Sequence, residues 1–263
     1  METTLIALPF GLLIGALVGA VGGGGAILAL PVLVYVLGQG TGPASTAALI
    51  VVAVAASVGA SLHLRDHQIC WRIAVSFILP SAAGAFLGAV ASVSVSPRLL
   101  LLTFVGVLLS AAALTWSNAG GGPNGQPDEQ DCPRPSPARV LAVGLAVGLL
   151  TGFFGVGGGF LLVPGLTVLL GVPIRRAIAT SLVLITATGA FALLSHLGAG
   201  AQPDWTITGV LGGATAVGAL LGVGIGRRLP TEALSRAFAI VVVAVAALLL
   251  VDVLVFGGPP LAS

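Results

Sequence analysis

Residues 144–164 read GLAVGLLTGFFGVGGGFLLVP and place four glycines within five positions of a hydrophobic run: Gly155, Gly157, Gly158 and Gly159. Glycine in a helix interior costs roughly 1 kcal/mol relative to alanine, so this cluster predicts a break in the helix. Residues 11–31, which read GLLIGALVGAVGGGGAILALP, contain a second cluster: Gly22, Gly23, Gly24 and Gly25. The recurrence indicates that the break is a feature of the fold and not an accident of composition.

The whole chain has the composition of an integral membrane protein. Of its 263 residues, 57% are hydrophobic and 7% are charged, and the mean hydropathy is +1.16. No soluble domain has enough interior to bury that much apolar surface. The apolar runs are continuous, lack the alternation of barrel strands, and mostly reach the ~20 residues that a spanning helix needs. The sequence therefore predicts an all-α polytopic membrane protein.

The two halves of the chain are copies of one unit. A shift of 133 residues brings matching residues together: Gly15 with Gly148, Pro31 with Pro164, and His63 with His196. Such self-similarity is typical of repeat architectures. Residues 118–138 are rich in glycine, proline and acidic residues, which indicates a flexible linker. We therefore divide the chain into a first transmembrane repeat (1–117), this linker, and a second transmembrane repeat (139–263).

Each half contains five apolar segments, and the second of them is unusually short. The segments are residues 5–21, 26–37, 44–64, 73–93 and 99–117, and then 139–154, 159–170, 177–197, 206–226 and 237–256. At 1.5 Å per residue, a helix of about 12 residues reaches only ~18 Å and cannot cross a hydrocarbon core of ~30 Å. We therefore expect each half to begin with two half-helices, a broken or re-entrant pair that meets near mid-membrane, followed by three spanning helices.

The arginines predict how the halves are oriented. If each broken pair makes an even number of crossings, nine of the ten arginines fall on one face and Arg98 falls alone on the other. If each pair crossed once, the split would be six against four. Because basic residues accumulate on the cytoplasmic side, the first count is favoured, with both termini outside and the linker in the cytoplasm. Each half then makes an odd number of crossings, which predicts two inverted repeats, the plan of many secondary transporters.

The glycine clusters are candidate binding sites. A helix that starts after such a break presents unpaired backbone N–H groups and about half a positive charge, which suits a small anion. We therefore select as substrate-binding residues both clusters: Gly22, Gly23, Gly24, Gly25, Gly155, Gly157, Gly158 and Gly159. The alternative is that glycines only permit close packing. We accept that interpretation for the regular Gly-x-x-x-Gly runs: Gly11, Gly15, Gly19, Gly144, Gly148 and Gly152.

Few other polar residues lie at membrane depth. In each half, two hydroxyl residues open the long helix that follows the short segment. They either touch the ligand or cap the helix, and they are Ser45 and Thr46 in the first half and Thr180 and Ser181 in the second. His63 and His196 are the titratable pair that repeats. They are candidates for a gate or a proton relay, or else interfacial histidines satisfied by headgroups or backbone.

The remaining chemistry-bearing residues are sparse. Cys70 and Cys132 are too few for a disulfide framework and lie in polar connections. No charged residue lies at the centre of a span, and the sequence has no catalytic motif of a known kind. We therefore expect no enzyme, no cofactor and no bound metal.

Three motifs resemble a known family. GAVGGGGAILALP (19–31), GFFGVGGGFLLVP (152–164) and AIATSL (177–182) are similar to motifs of the TauE/SafE family of sulfite exporters and related permeases. The resemblance implies a secondary transporter of a bacterial or archaeal inner membrane, an exporter of small sulfur-containing or organic anions such as sulfite, sulfonates or thiosulfate. The implied partners are a small anionic solute and the lipid bilayer, with no nucleic acid and with a homodimer left open. A membrane scaffold or assembly protein and a passive anion channel remain as alternatives.

Overall fold

The computed structural model describes residues 2–92, 95, 97–118, 132–154, 159–198 and 203–251. These residues form ten α-helices, a 3₁₀ turn at the first glycine cluster and a π-helical segment after each of the two short helices, and they form no β-strand. The helices are α1 (Glu2–Val21), α2 (Ala26–Pro31), α3 (Thr41–Arg65), α4 (Trp71–Ser92), α5 (Pro97–Asn118), α6 (Pro137–Phe154), α7 (Gly159–Pro164), α8 (Ile174–Gly198), α9 (Trp205–Arg228) and α10 (Thr231–Val251).

The long helices have the length and composition of membrane spans. Within the described residues, six of them are apolar enough to cross a bilayer: α3, α4, α6, α8, α9 and α10. The prediction of an all-α polytopic membrane fold is confirmed. The predicted boundary of the last span is wrong, because α10 begins at Thr231 and includes Glu232 and Arg236, whose charged atoms lie 3.8 Å apart. The length of a charge-free run underestimates the length of a helix whose first, charged turns extend beyond the hydrocarbon core of the membrane.

The chain reverses direction at the first glycine cluster. Gly22 ends α1 with a φ of 80°, a backbone conformation that favours glycine. The 3₁₀ turn Gly23–Gly25 and α2 then fold back against α1, and the π-helical segment Val32–Val36 continues from α2 toward α3. A methyl group on Gly25 would lie 2.7 Å from the nitrogen of Val18 and 2.8 Å from the oxygen of Ile14. We call this re-entrant unit hairpin 1 (2–36).

The second half begins in the same way. The π-helical segment Gly165–Leu169 follows α7 and returns along α6, because a methyl group on Gly165 would lie 3.0 Å from Cγ2 of Val147. We call this unit hairpin 2 (137–169). One detail of the prediction is wrong: α1 has 20 residues and α6 has 18, so the first arm of each hairpin is close to a full span and only the second arm is short.

Contacts between helices give their directions. α3 runs parallel to α9, as two contacts show: Val51 O to Thr215 Oγ1 at 3.4 Å, and Leu62 O to Arg227 Nη2 at 3.1 Å. α8 runs antiparallel to α3, as the neighbours of two glycines show. Gly59 of α3 lies against Leu182 of α8, and Gly189 of α8 lies against Ala53 of α3. α4 and α10 start on the side where α3 and α9 end. Cys70, just before α4, donates its N–H to Thr180 Oγ1 near the start of α8 at 3.1 Å, and Leu234 of α10 lines the same space as Arg227 of α9.

Two glycine seams join the halves. Glycines of α1 face the backbone of α9, and glycines of α6 face the backbone of α4. Both pairs are parallel: Gly11 packs against Ala214 and Gly19 against Val223, while Gly144 packs against Pro80 and Gly152 against Ala85. Small residues allow such close approach of backbones in a membrane. The packing role predicted for the Gly-x-x-x-Gly runs is confirmed, and each seam connects a helix of one half to a helix of the other.

One face of the molecule carries most of the charge. α3 and α9 end there, α1 runs toward it, and α4, α6, α8 and α10 begin there. The described ends of these helices hold nine arginines: Arg65, Arg72, Arg134, Arg139, Arg175, Arg176, Arg227, Arg228 and Arg236. Arg98 belongs to the first turn of α5, at the opposite end. We call the charged side the arginine face.

Candidate functional site

The tips of the two hairpins touch in the core. Gly23 packs so tightly against Gly159 that a methyl group on Gly23 would overlap the carbonyl of Gly159. Gly159 in turn lies against Ile185 of α8, and all three residues are buried. The two halves therefore meet backbone to backbone at their glycine clusters. In this conformation the contact leaves no room for an anion between Gly23 and Gly159.

Ser181 lies beside the tip of hairpin 1. A methyl group on Gly22 would sit 2.8 Å from Ser181 Oγ and 3.1 Å from Val163 Cγ2. The Ser181 hydroxyl donates to the carbonyl oxygen of Ile178 at 2.8 Å, so its lone pairs remain available as acceptors and its proton can be redirected to a ligand. Of the selected hydroxyls, Ser181 is the one whose contact with a glycine cluster the structure describes.

The other three hydroxyls have structural partners. Ser45 and Thr46 donate to the carbonyl oxygen of Gly42 at 2.8 and 3.4 Å, which is back-bonding within the first turns of α3. Thr180 Oγ1 accepts the backbone N–H of Cys70 at 3.1 Å and ties α8 to the connection before α4. The repeat explains the asymmetry, because the 133-residue shift pairs Thr180 and Ser181 with two alanines: Ala47 and Ala48.

Several selected residues lie beyond what the structure describes. Gly155, Gly157 and Gly158 fall outside the described residues, and so does the side chain of His196. Gly24 belongs to the 3₁₀ turn of hairpin 1. The ligand-binding roles of these residues stay predictions.

A recess opens beside the tip of hairpin 1, on the arginine face. The last turns of α1, α3 and α9 and the first turns of α8 and α10 line this recess, which is open to solvent at its mouth. The centre of a water-sized molecule can move through about 20 Å³ of it. Ile178 lines this space, and its Cα lies 3.5 Å from the position of a methyl group on Gly22. We call it the arginine-face recess; its polar lining consists of His63, Gln68, Arg175 and Arg227.

His63 is the buried polar residue of the recess. Its side chain is enclosed, with the residue 6% exposed, and its Nδ1 lies 2.9 Å from Gln68 Oε1. Its Nε2 is buried and has no hydrogen-bond partner among the described residues. Burying an unpaired polar atom costs about 1–3 kcal/mol, and a water molecule or ligand that reached Nε2 would recover that cost. Both interpretations of His63, as a gate or proton relay and as an interfacial histidine satisfied by headgroups or backbone, stay predictions.

Two guanidinium groups make the recess cationic. Arg175 donates to the carbonyl oxygens of Gly226 and Leu229, at 3.4 and 2.6 Å. Arg227 forms an ion pair with Asp66, with 2.5 Å between Nη2 and Oδ2. The described residues that line the recess include no carboxylate, because Asp66 approaches Arg227 from outside the lining. Sequence reasoning did not select Gln68, Arg175 or Arg227, since nothing in the sequence indicates that positions so far apart converge.

A disulfide lies on the arginine face. It joins Cys70 to Cys132, a pairing that the low cysteine count did not lead us to expect. Arg176 Nη1 lies 3.4 Å from Cys132 Sγ and donates to the carbonyl oxygen of His67 at 3.3 Å. The segment just before α6 is thereby held against the start of α8. Most of the predicted linker, residues 119–131, lies outside the described residues.

Comparison with known proteins identifies the family. The profile described as "Sulfite exporter TauE/SafE" matches residues 7–249. The chain belongs to the TauE/SafE family. A "Probable membrane transporter protein" of Xylella fastidiosa (strain 9a5c) is 34% identical to this TauE/SafE chain over 256 residues, which cover 94% of each protein. Relatives with the same description from Methanocaldococcus jannaschii and Bacillus subtilis are 25% and 24% identical, covering 75% and 91% of this chain.

No solved structure matches the chain. The family and its relatives nevertheless establish the general class: the chain is a membrane transporter of a family of transporters and not of enzymes. The relatives come from bacteria and an archaeon, in agreement with a multi-pass membrane protein of prokaryotic type.

Proposed function

We propose that this TauE/SafE protein is a secondary transporter that exports small sulfur-containing or organic anions, with sulfite, sulfonates and thiosulfate as candidate substrates. The family description supports the substrate class. The observation that carries the proposal is the buried backbone contact between the tips of hairpins 1 and 2, at Gly23 and Gly159. Irregular backbone inside a membrane protein is tolerated where protein buries it or a cavity reaches it.

The helix directions support an inverted repeat. α1 and α3 run parallel to α9, whereas α8 runs antiparallel to α3, and α6 runs parallel to α4. Helices at corresponding positions of the two halves, α1 with α6 and α3 with α8, therefore point in opposite directions. Inverted repeats place a substrate site at their interface and expose it alternately to the two sides of the membrane.

In the proposed cycle, the contact between the tips is the closed state. When the tips separate, the N–H groups of the two glycine clusters bind the oxyanion, because such groups and the ends of helices favour negative charge. The hydroxyl of Ser181 is a further ligand beside Gly22. Movement of one helix bundle against the other then changes the side from which the anion is reached.

We also propose that the arginine face is cytoplasmic and that both termini are outside. Basic residues accumulate on the cytoplasmic side, and nine of the ten arginines lie on this face. The Cys70–Cys132 disulfide lies on this same face, whereas a reducing cytosol would keep both cysteines as thiols. A pair that stays oxidised in intact cells would therefore contradict the proposed orientation. A membrane potential that is negative inside drives an anion outward by ~2.3 kcal/mol per charge per 100 mV. The sign of the potential therefore favours export.

Flux measurements in proteoliposomes test the proposal. Labelled sulfite, thiosulfate and a small sulfonate would be offered under an imposed potential of either sign, with and without a pH gradient. Saturable flux that one of these anions competes, and that an excess of the same anion on the far side accelerates, supports an anion carrier. Flux without saturation or such acceleration supports the channel alternative. Absence of flux for all three anions, with folded protein, refutes the proposed substrate class.

A further inference from the structure

We propose that the arginine-face recess is a second anion site, where the transported oxyanion binds between His63 Nε2 and the guanidinium groups of Arg175 and Arg227 before it reaches the hairpin tips. This inference rests on the proposed function and specifies its entry step. The recess adjoins the tip of hairpin 1 through Ile178 and the last turn of α1. An anion held there is therefore separated from Gly22 by the residues that line both places, such as Ile178.

The lining of the recess selects an anion. Two guanidinium groups and the N-terminal turn of the 25-residue α8 all contribute positive charge. Guanidinium groups bind oxyanions with short, charge-assisted hydrogen bonds. In this conformation the inner part of the recess has room for about one water molecule. An oxyanion is a few times larger than the ~30 Å³ that water occupies in the liquid, so it binds at the open mouth and moves the lining side chains apart. A cation would be repelled by the same lining.

His63 supplies a donor without a change of charge. In a neutral imidazole, one ring nitrogen donates a hydrogen bond and the other accepts one. Gln68 contacts Nδ1 through a side-chain amide, which can present either its oxygen or its NH₂ group. When Gln68 presents the NH₂ group, Nε2 carries the proton and donates to the anion. The buried Nε2 that lacks a partner among the described residues thereby gains one.

Asp66 is the resting partner that the anion displaces. Its carboxylate pairs with Arg227, and the two side chains are 35% and 42% exposed. An ion pair this exposed exchanges with solvent at little cost. An arriving oxyanion therefore competes with Asp66 for the same guanidinium group, and removal of the Asp66 charge strengthens anion binding.

Equilibrium binding to the purified full-length protein tests the site. Sulfite, thiosulfate and methanesulfonate would be titrated by calorimetry, and flux would be measured in proteoliposomes at graded concentrations. Arg227→Gln and His63→Leu should each raise the half-saturating concentration roughly tenfold, the loss of one charge-assisted or buried hydrogen bond. Arg228→Gln is the matched control: it removes a charge from the adjacent exposed position, outside the recess, and should stay within about twofold of wild type.

The variant Asp66→Asn distinguishes two roles of Asp66: a competitor of the anion for Arg227, or a structural partner that holds Arg227 in place. As a competitor, Asp66 predicts tighter binding in Asp66→Asn, whereas a purely structural pair predicts the same loss as in Arg227→Gln and would overturn the displacement step. If wild type binds and transports an anion but Arg227→Gln and His63→Leu behave like Arg228→Gln, the recess is no anion site and the proposed function stands. If wild type neither binds nor transports any of the three anions, the proposed function fails, and the recess proposal fails with it.

Discussion

Replacement of Gly23 by alanine tests the contact between the hairpin tips. The added methyl group would overlap the carbonyl of Gly159 and would lie 2.7 Å from the Gly159 Cα, closer than the 3.0 Å limit that real Cβ atoms respect. The neighbouring atoms belong to backbone, so no rotamer change can relieve the overlap. The tips must move apart, and the packing of hairpin 2 against α8 must move with them.

The cost follows from the rigidity of the contact. Overpacking a core costs about 1–3 kcal/mol, and a backbone neighbour places Gly23→Ala at the upper end. Alanine regains about 0.5–1 kcal/mol because glycine loses more conformational freedom on folding. The net loss is about 2 kcal/mol, which for a chain of this size lowers Tm by about 4–8 °C.

Thermal unfolding in detergent, followed by tryptophan fluorescence, measures this shift, and anion flux is measured on the same preparations. Gly213→Ala is the matched control, because Gly213 is also helical but exposed, with no atom within 4 Å of the added methyl group. It should keep or slightly raise the Tm of wild type and should leave flux unchanged. Equal Tm and equal flux for Gly23→Ala and Gly213→Ala would refute the tip contact.

Three further predictions concern the seams, the hydroxyl at the tip and the orientation. The methyl group of Gly152→Ala would overlap the carbonyl of Ala85, an overpacking that costs about 1–3 kcal/mol. Each kcal/mol should lower Tm by about 2–4 °C. Ser181→Ala should raise the half-saturating anion concentration about 2–10-fold at unchanged Tm, the loss of one neutral hydrogen bond to the ligand. Arg228→Cys, in a protein with Cys70 and Cys132 replaced by serine, should react with a membrane-impermeant maleimide only after the cells are lysed.

Each of these has a contrary result. Wild-type Tm for Gly152→Ala would mean that the seam between α6 and α4 is looser than its geometry indicates; Gly224→Ala, with no neighbour within 4 Å of its added methyl group, serves as the control. Unchanged anion affinity in Ser181→Ala would limit that hydroxyl to its bond with Ile178. Labelling of Arg228→Cys in intact cells would place the arginine face outside and refute the proposed orientation.

The local features of the fold could be predicted because they depend on chain chemistry and length. Glycine clusters break helices, charge-free runs of sufficient length cross bilayers, and a segment as short as 26–37 cannot. These rules predicted both hairpins and the long helices, and the Gly-x-x-x-Gly spacing predicted the seams before their partners were known. The errors lie at the ends: α10 begins at Thr231 because charged turns extend into the interface, and α1 is longer than a half-helix.

The convergence of distant residues was decided by tertiary packing. His63, Arg175 and Arg227 belong to three helices, and only the crossing of α3, α8 and α9 brings them to one recess. The pairing of Cys70 with Cys132 and the contact of Ser181 with Gly22 depend on the same arrangement. Periodicity and composition report which face of a helix is apolar and how far it can reach. They do not report which helices become neighbours, because that choice depends on how the two halves pack against each other along the glycine seams.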